Sequence, residues 1–267
     1  MMRQHGSIGA TPSSRAGGSS RRRLREFAKR LTSVALFAAL TMAASTSIGH
    51  ADALYSGSSG NLSASADFNL SGSTLTVTLT NTSAADVLVP SDVLTGVFFN
   101  TTHTLTPVSA SLNGSSVFYG SFINNVGEGF QYKSGVSAHG ENSGITAAGL
   151  GIFGPTGNFF SPGATLDGLD SGILSAGDNA ATGNTGVTGH GPLIKNSVQF
   201  TLTAGPGFTL DELGSTVVFQ YGTSLTETYY TGSCERCDPR VPEPASVLLL
   251  GSGLAGLALW RARRRTS

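Results

Sequence analysis

The chain has 267 residues with 16 basic and 16 acidic side chains, but the zero net charge hides a split: residues 1–50 carry +7, residues 51–240 carry −10 and residues 241–267 carry +3. An acidic middle excludes nucleic-acid binding, which needs a basic footprint. The 36 glycines are nearly twice the usual ~7 % share, and 39 % hydrophobic with only 12 % charged residues is the composition of neither a disordered chain nor a helical bundle.

The first element is a leader. Arg21, Arg22, Arg23, Arg25, Lys29 and Arg30 precede an apolar run from Val34 to Ala44, the length of a signal-peptide core and too short for a membrane span. Small and polar residues follow and end in Ala51-Asp52-Ala53, an A-x-A cleavage pattern. The basic residues stay cytoplasmic and the chain beyond is exported. Residues 1–53 are therefore predicted as a signal peptide cleaved at Ala51 and Ala53, with the mature chain beginning near Leu54.

The middle reads as β-structure. Leu62, Ala64, Ala66, Phe68 and Leu70 share one parity, opposite Ser63, Ser65, Asp67 and Asn69. After Ser71-Gly72-Ser73 the alternation restarts as Leu75, Val77 and Leu79 among threonines, which predicts a hairpin with one buried face. Shorter apolar runs occur at 93–99, 117–122 and 150–153, Asn113-Gly114 is a hairpin-type turn signal, and alternation returns at Val198, Phe200, Leu202 and at Val217, Phe219, Tyr221. Many short strands without helices to cover a parallel sheet point to an all-β fold: an antiparallel β-sandwich, jelly-roll or Ig-like, over residues 54–233. The Gly- and Pro-rich stretch 154–191 is predicted as long loops of that domain.

Residues 234–240 are predicted as a linker holding Cys234 and Cys237, the only cysteines. A local disulfide, an intermolecular link, and redox or metal chemistry are the alternatives; a thioredoxin-type site needs a helix N-terminus, and one Cys-x-x-Cys cannot complete a zinc site.

Residues 241–267 form the last unit: Val241-Pro242-Glu243-Pro244, an apolar helix from Ala245 to Trp260, then Arg261, Arg263, Arg264 and Arg265. Sixteen residues span about 24 Å, short of the ~30 Å bilayer core, a gap that arginine snorkelling and local thinning close. A transmembrane helix is predicted, with the arginines as a cytoplasmic stop. This ending resembles the PEP-CTERM sorting signal. That resemblance implies recognition of Pro242, Glu243 and Pro244 by exosortase, a membrane transpeptidase, removal of the tail, transient anchorage in the inner membrane, and display on the surface or in the matrix of a Gram-negative bacterium. Segments 68–72, 75–83, 90–99, 197–202 and 217–223 also resemble the XDD group of exosortase-dependent surface proteins, which implies surface display.

Candidates for chemistry are few. Asp167, Asp170 and Asp178 bring three carboxylates into one Gly-rich stretch and are candidate Ca²⁺ ligands, although EF-hand order is absent and turn capping explains them equally. His103, His139 and His190 have no partner at ligand spacing, and Glu128 and Glu141 are the one pair that glycosidase chemistry could use. The expectation is no enzyme and no cofactor: a structural or adhesive surface protein in an exopolysaccharide or biofilm setting. The alternatives are a polysaccharide-binding module using Tyr229 and Tyr230, and a Ca²⁺-dependent adhesin.

Overall fold

The computed structural model describes residues 50–238 apart from 123–124, 160–165, 167 and 190, together with positions 253, 261 and 264. The chain divides into a unit of residues 48–243 and a second of residues 1–47 and 244–267. The signal peptide and most of the sorting segment, including Val241, Pro242, Glu243 and Pro244, lie outside the described residues; Gly253, Arg261 and Arg264 are helical. Among the described residues no helix is long and apolar enough to cross a membrane.

Among the described residues thirteen strands make one sheet: β1 His50–Ser59, β2 Leu62–Ser71, β3 Thr74–Asn81, β4 Leu94–Phe99, β5 Thr106–Leu112, β6 Ser116–Phe118, β7 Gln131–Ala138, β8 Glu141–Thr146, β9 Ile173–Leu174, β10 Leu193–Lys195, β11 Ser197–Thr203, β12 Thr216–Tyr221 and β13 Tyr229–Asp238. Between these strands the described helix is one turn, α1 (Thr185–Thr188), and three 3-10 turns. The predicted hairpin is β2–β3, paired from Ala64↔Asn81 to Ser71↔Thr74. Gly72 closes it at φ 61°, a conformation open to glycine at no steric cost. Asp67, Asn69, Thr76, Thr78, Gln199 and Thr201 are on the outer face, half-buried, while Phe68, Leu75, Val77, Leu79, Val198, Phe200 and Leu202 point into the core. Leu70, on the same parity, is only half-buried at the strand end.

Hydrogen bonding is continuous in the order β5-β11-β3-β2-β1-β13-β12-β4-β9-β10-β6, with β8 joining β4 to β7. All pairings are antiparallel except β9–β10. The two-sheet division of a jelly roll or Ig sandwich is not seen; the sheet is instead barrel-like and nearly closed. Asn113-Gly114 explains how. It is a turn, with Gly114 at φ 63°, but β5 and β6 do not pair with each other as a hairpin. β5 pairs with β11 as far as Leu112↔Val198, and β6 pairs with β10 from Ser116↔Lys195. One two-stranded ribbon thus bends at Asn113–Ser115 and at Asn196, whose φ of 83° suits asparagine's tolerance of left-handed backbone. Ser197 Oγ donates to the Asn113 carbonyl at 3.0 Å across the bend. Its two halves are the two ends of the strand order, and Asn81 Nδ2, donating to the Ile173 carbonyl at 2.9 Å, ties β3 to β9 beside it.

Curvature lets the inner face pack on itself. Phe68 on β2 and Phe99 on β4 are four strand spacings apart, about 19 Å along a flat sheet, yet their rings meet edge-on at 5.2 Å. Tyr55, Phe68, Phe99, Phe130, Phe200, Phe219 and Tyr221 are fully buried in this core, each contributing ~1.5–3 kcal/mol by area. β4 is buried along its whole length because its outer side is also covered. There Phe98 and Val218 pack with Val136, Ala138, Ala148 and Leu150. The stretch 154–191 supplies β9, α1 and a small cluster of Leu169, Leu174 and Val187 against Val87, Val93 and Leu193.

Two predicted boundaries fall within strands. Residues 234–238, read as linker, are the end of β13, and Ala51, Asp52 and Ala53, read as the leader's end, are in β1. Proline density and small residues mark sequence boundaries, but both segments find cross-strand partners in each other, which no local pattern reveals.

Candidate functional site

β13 ends at Asp238, three positions before Val241, where the predicted sorting segment begins, so its last residues lead along the chain from the sheet to that segment. β13 is interior, between β1 and β12. Its register with β1 runs Asp52↔Asp238, Ala53↔Cys237, Leu54↔Arg236, and then jumps to Tyr55↔Cys234, leaving Glu235 as a bulge. That bulge makes a disulfide sterically available. Three residues of regular strand span about 10 Å, beyond disulfide reach, whereas Cys234 and Cys237 have Cα atoms 5.9 Å apart and are bonded. The pair lies in a strand rather than at a helix N-terminus. The bulged Glu235 accepts a hydrogen bond from Ser56 Oγ.

On the outer face Arg236 Nη2 pairs with Asp52 Oδ2 at 2.8 Å. Asp67, one strand over on β2, opposes Leu54 and faces the same group. Burial, then the hydrogen bond and charge of Asp52, push its carboxyl up to about 6, against the pull of Arg236. With both carboxyls ionised, the buried Oδ1 of Asp52 and Oδ1 of Asp67 have no donor to accept from among the described residues. Behind β1, Ala53, Leu210, Asp211, Gly214, Ser215 and the disulfide line, with Asp52, a cavity of about 220 Å³. Tyr55 Oη donates to the Gly214 carbonyl at 2.7 Å nearby, and its hydroxyl is pushed up to about 12 by burial and the charge of Asp211.

A second surface is aromatic. Tyr229, at the start of β13, is 50 % exposed. Its ring stacks on His139 with centroids 3.7 Å apart and planes 23° from parallel. His139 and Gly140 form the two-residue β7–β8 turn at φ 56° and 92°, the primed-turn geometry of a tight hairpin. His139 Nε2 is 2.8 Å from Gln220 Oε1, and Phe98 packs edge-on at 6.0 Å, so the ring is held from below. Tyr230 faces inward: it is 9 % exposed, its hydroxyl is 2.9 Å from that of Tyr221, and burial raises its pKa strongly. Of the predicted tyrosine pair, therefore, only Tyr229 offers a face to solvent.

Other predicted residues serve structural ends. Asp178 Oδ1 accepts the Val87 N–H at 3.1 Å, and Asp170 lies against Gly191. Asp167 and His190 lie outside the described residues. Among the described residues no three His, Cys, Asp or Glu side chains come together as a metal site. His103 Nδ1 lies 2.7 Å from Glu212 Oε1. Burial opposes ionisation of Glu212, but His103, Thr102 and Thr209 outweigh it and hold the carboxyl down at about 2. Glu212 also closes a capping box with Thr209. Glu141 is buried at the start of β8, which raises its pKa, and Glu128 sits in the 3-10 turn Val126–Gly129. The Asp52–Asp67–Arg236 group and the His139–Tyr229 stack were not read from sequence. The Ala-His-Gly-Glu turn was the one local signal for the second; the first depends on pairing of residues far apart in the chain.

Residues 240–265 match the PEP-CTERM protein-sorting motif. The chain is thereby an exported protein dependent on exosortase, with exosortase as its processing partner. No curated protein and no solved structure matches the chain.

Proposed function

We propose that this chain is a non-catalytic surface or matrix protein, structural or adhesive in an exopolysaccharide or biofilm setting, held in the inner membrane by its C-terminal helix until exosortase acts. The sorting motif at residues 240–265, placed directly after the last strand, carries this reading. The domain ends where the signal begins, so removal of the tail leaves every strand of the sheet in the released product. Replacing Pro242, Glu243 and Pro244 together with alanine is expected to leave a full-length, membrane-retained precursor, read by intact mass and fractionation. Unchanged processing and release in that variant overturns the assignment.

A second reading, polysaccharide binding, is favoured by the half-exposed Tyr229 ring supported on His139, since carbohydrate platforms use the flat faces of aromatic rings. Tyr229→Ala is expected to lower retention on the producer's exopolysaccharide at least five-fold without changing the melting temperature. Equal retention of variant and parent removes this reading. A Ca²⁺-dependent mode has no such support, because Asp170 and Asp178 are not gathered with a third ligand among the described residues.

A further inference from the structure

In strand β1, His50 and Ala51 pair with Ser71 and Leu70 of β2. From Asp52 to Ser56 the strand is paired on both sides among the described residues: Asp52 with Asn69 and Asp238, Ala53 with Phe68 and Cys237. Ala53 is 2 % exposed in the main core and forms part of the cavity wall beside the disulfide. Asp52 holds Arg236. The sequence offers two registers in which small residues occupy the third and first positions before a scissile bond: Gly49 and Ala51 before Asp52, and Ala51 and Ala53 before Leu54.

We propose that the leader is removed at the Ala51–Asp52 bond, so that the mature chain begins at Asp52 and the sheet keeps Asp52 and Ala53 in their ladders with β2 and β13. The inference rests on the export reading above. A membrane-bound leader peptidase adds water across that bond, leaving a carboxylate on Ala51 of the leader and an α-ammonium on Asp52.

That new cation lands beside two carboxyls. Asp52 and Asp67 present buried Oδ1 atoms that, with both carboxyls ionised, have no donor among the described residues, and the Arg236 guanidinium stands against both. An α-ammonium at the base of the Asp52 side chain supplies donors and charge to this group, where opposite charge within a few Å favours the ionised carboxylate. Cleavage two residues later has the opposite effect. It discards Asp52 and Ala53, strips Arg236 of its partner, leaves Cys237 and Asp238 without β1, and opens the wall of the cavity.

The test is the N-terminal residue of the exported product. The full chain is produced in a Gram-negative host, and its N-terminal peptide is sequenced by mass spectrometry from periplasmic, membrane and medium fractions, with Gly49→Phe and Ala53→Val as companions. A bulky residue at the third position before Asp52 disables that register alone, and Ala53→Val disables the Leu54 register alone. The expected result is Asp52 as the mature N-terminus in the parent and in Ala53→Val, with at least a ten-fold loss of that product in Gly49→Phe. Leu54 as the parent's N-terminus overturns the inference and leaves export standing. Loss of cleavage in Ala53→Val with normal cleavage in Gly49→Phe does the same. An uncleaved cytoplasmic precursor overturns both the inference and the export reading.

Discussion

Asp67 is a carboxyl on the outer face of an otherwise alternating strand, and its surroundings set the sign of its effect. Its folded pKa is raised, from 3.8 to about 6, by burial and then by Asp52. The proton is therefore bound more tightly in the folded state. The stability this contributes is fully present below about pH 4 and is lost as pH rises through about 6. Asp67→Asn cannot ionise. In a chain extended N-terminally beyond Asp52, it is expected to be more stable than the parent at pH 8, by on the order of 1 kcal/mol once solvent screening of a half-buried group is discounted. The two melting curves should converge at pH 4. In a chain beginning with a free α-ammonium at Asp52 the gap at pH 8 should shrink. A variant less stable than its parent at pH 8 contradicts this account of the group.

At the scale of elements, alternation is what the strands enforce. Val77 on β3 is fully buried and pairs with Phe68 and Phe200 on its two neighbours. Thr78, the next residue, faces outward, half-buried, between Asp67 and Gln199. Val77→Asp places an unpaired carboxylate among these rings and should cost at least ~4 kcal/mol, a large part of a typical total of ~5–15. Thr78→Asp should cost ~1 kcal/mol, the larger share from the like charge of Asp67 opposite it. Thermal or urea melts of the pair measure this, and equal losses would refute the assigned faces. The β1–β13 contact is enforced differently. Gly57 and Gly232 approach so closely that a Cβ built on Gly57 comes within 2.9 Å of Gly232 Cα, and one on Gly232 within 2.4 Å of the Phe219 ring. These glycines are sites of close backbone approach, where any side chain would push the two strands apart.

For the whole molecule, the last strand is an inner one. β13 joins β1 to β12, and with them the N-terminal hairpin to the strands around β4. Deleting residues 229–238 splits the sheet between β1 and β12 and exposes Phe219 and Tyr221 from one side. A chain of residues 52–228 is expected to show no cooperative melting transition, whereas residues 52–238 should melt cooperatively, as read by circular dichroism and calorimetry. A cooperative transition in the shorter chain would mean that β13 is dispensable. Completion of the sheet thus needs the residues that immediately precede the sorting segment.

The sequence by itself determined the sorting motif, the all-β class, the alternating faces of β2, β3 and β11 and the inward residues of β12. Each of these is a local property: three parts in a fixed order, or a period of two along one strand. It was silent on the nearly closed order of the sheet, the bent ribbon at Asn113 and Asn196, and the pairing of Ala51–Ala53 and Cys234–Asp238 into neighbouring strands. Those depend on which distant segments share a ladder. Alternation tells a strand which face is apolar but carries no information about which edge meets which partner. The same reason separates Tyr229 from Tyr230: adjacent in sequence, they point to opposite faces of β13, and only the curvature of the sheet decided that one ring would be sealed against Tyr221 and the other left open on His139.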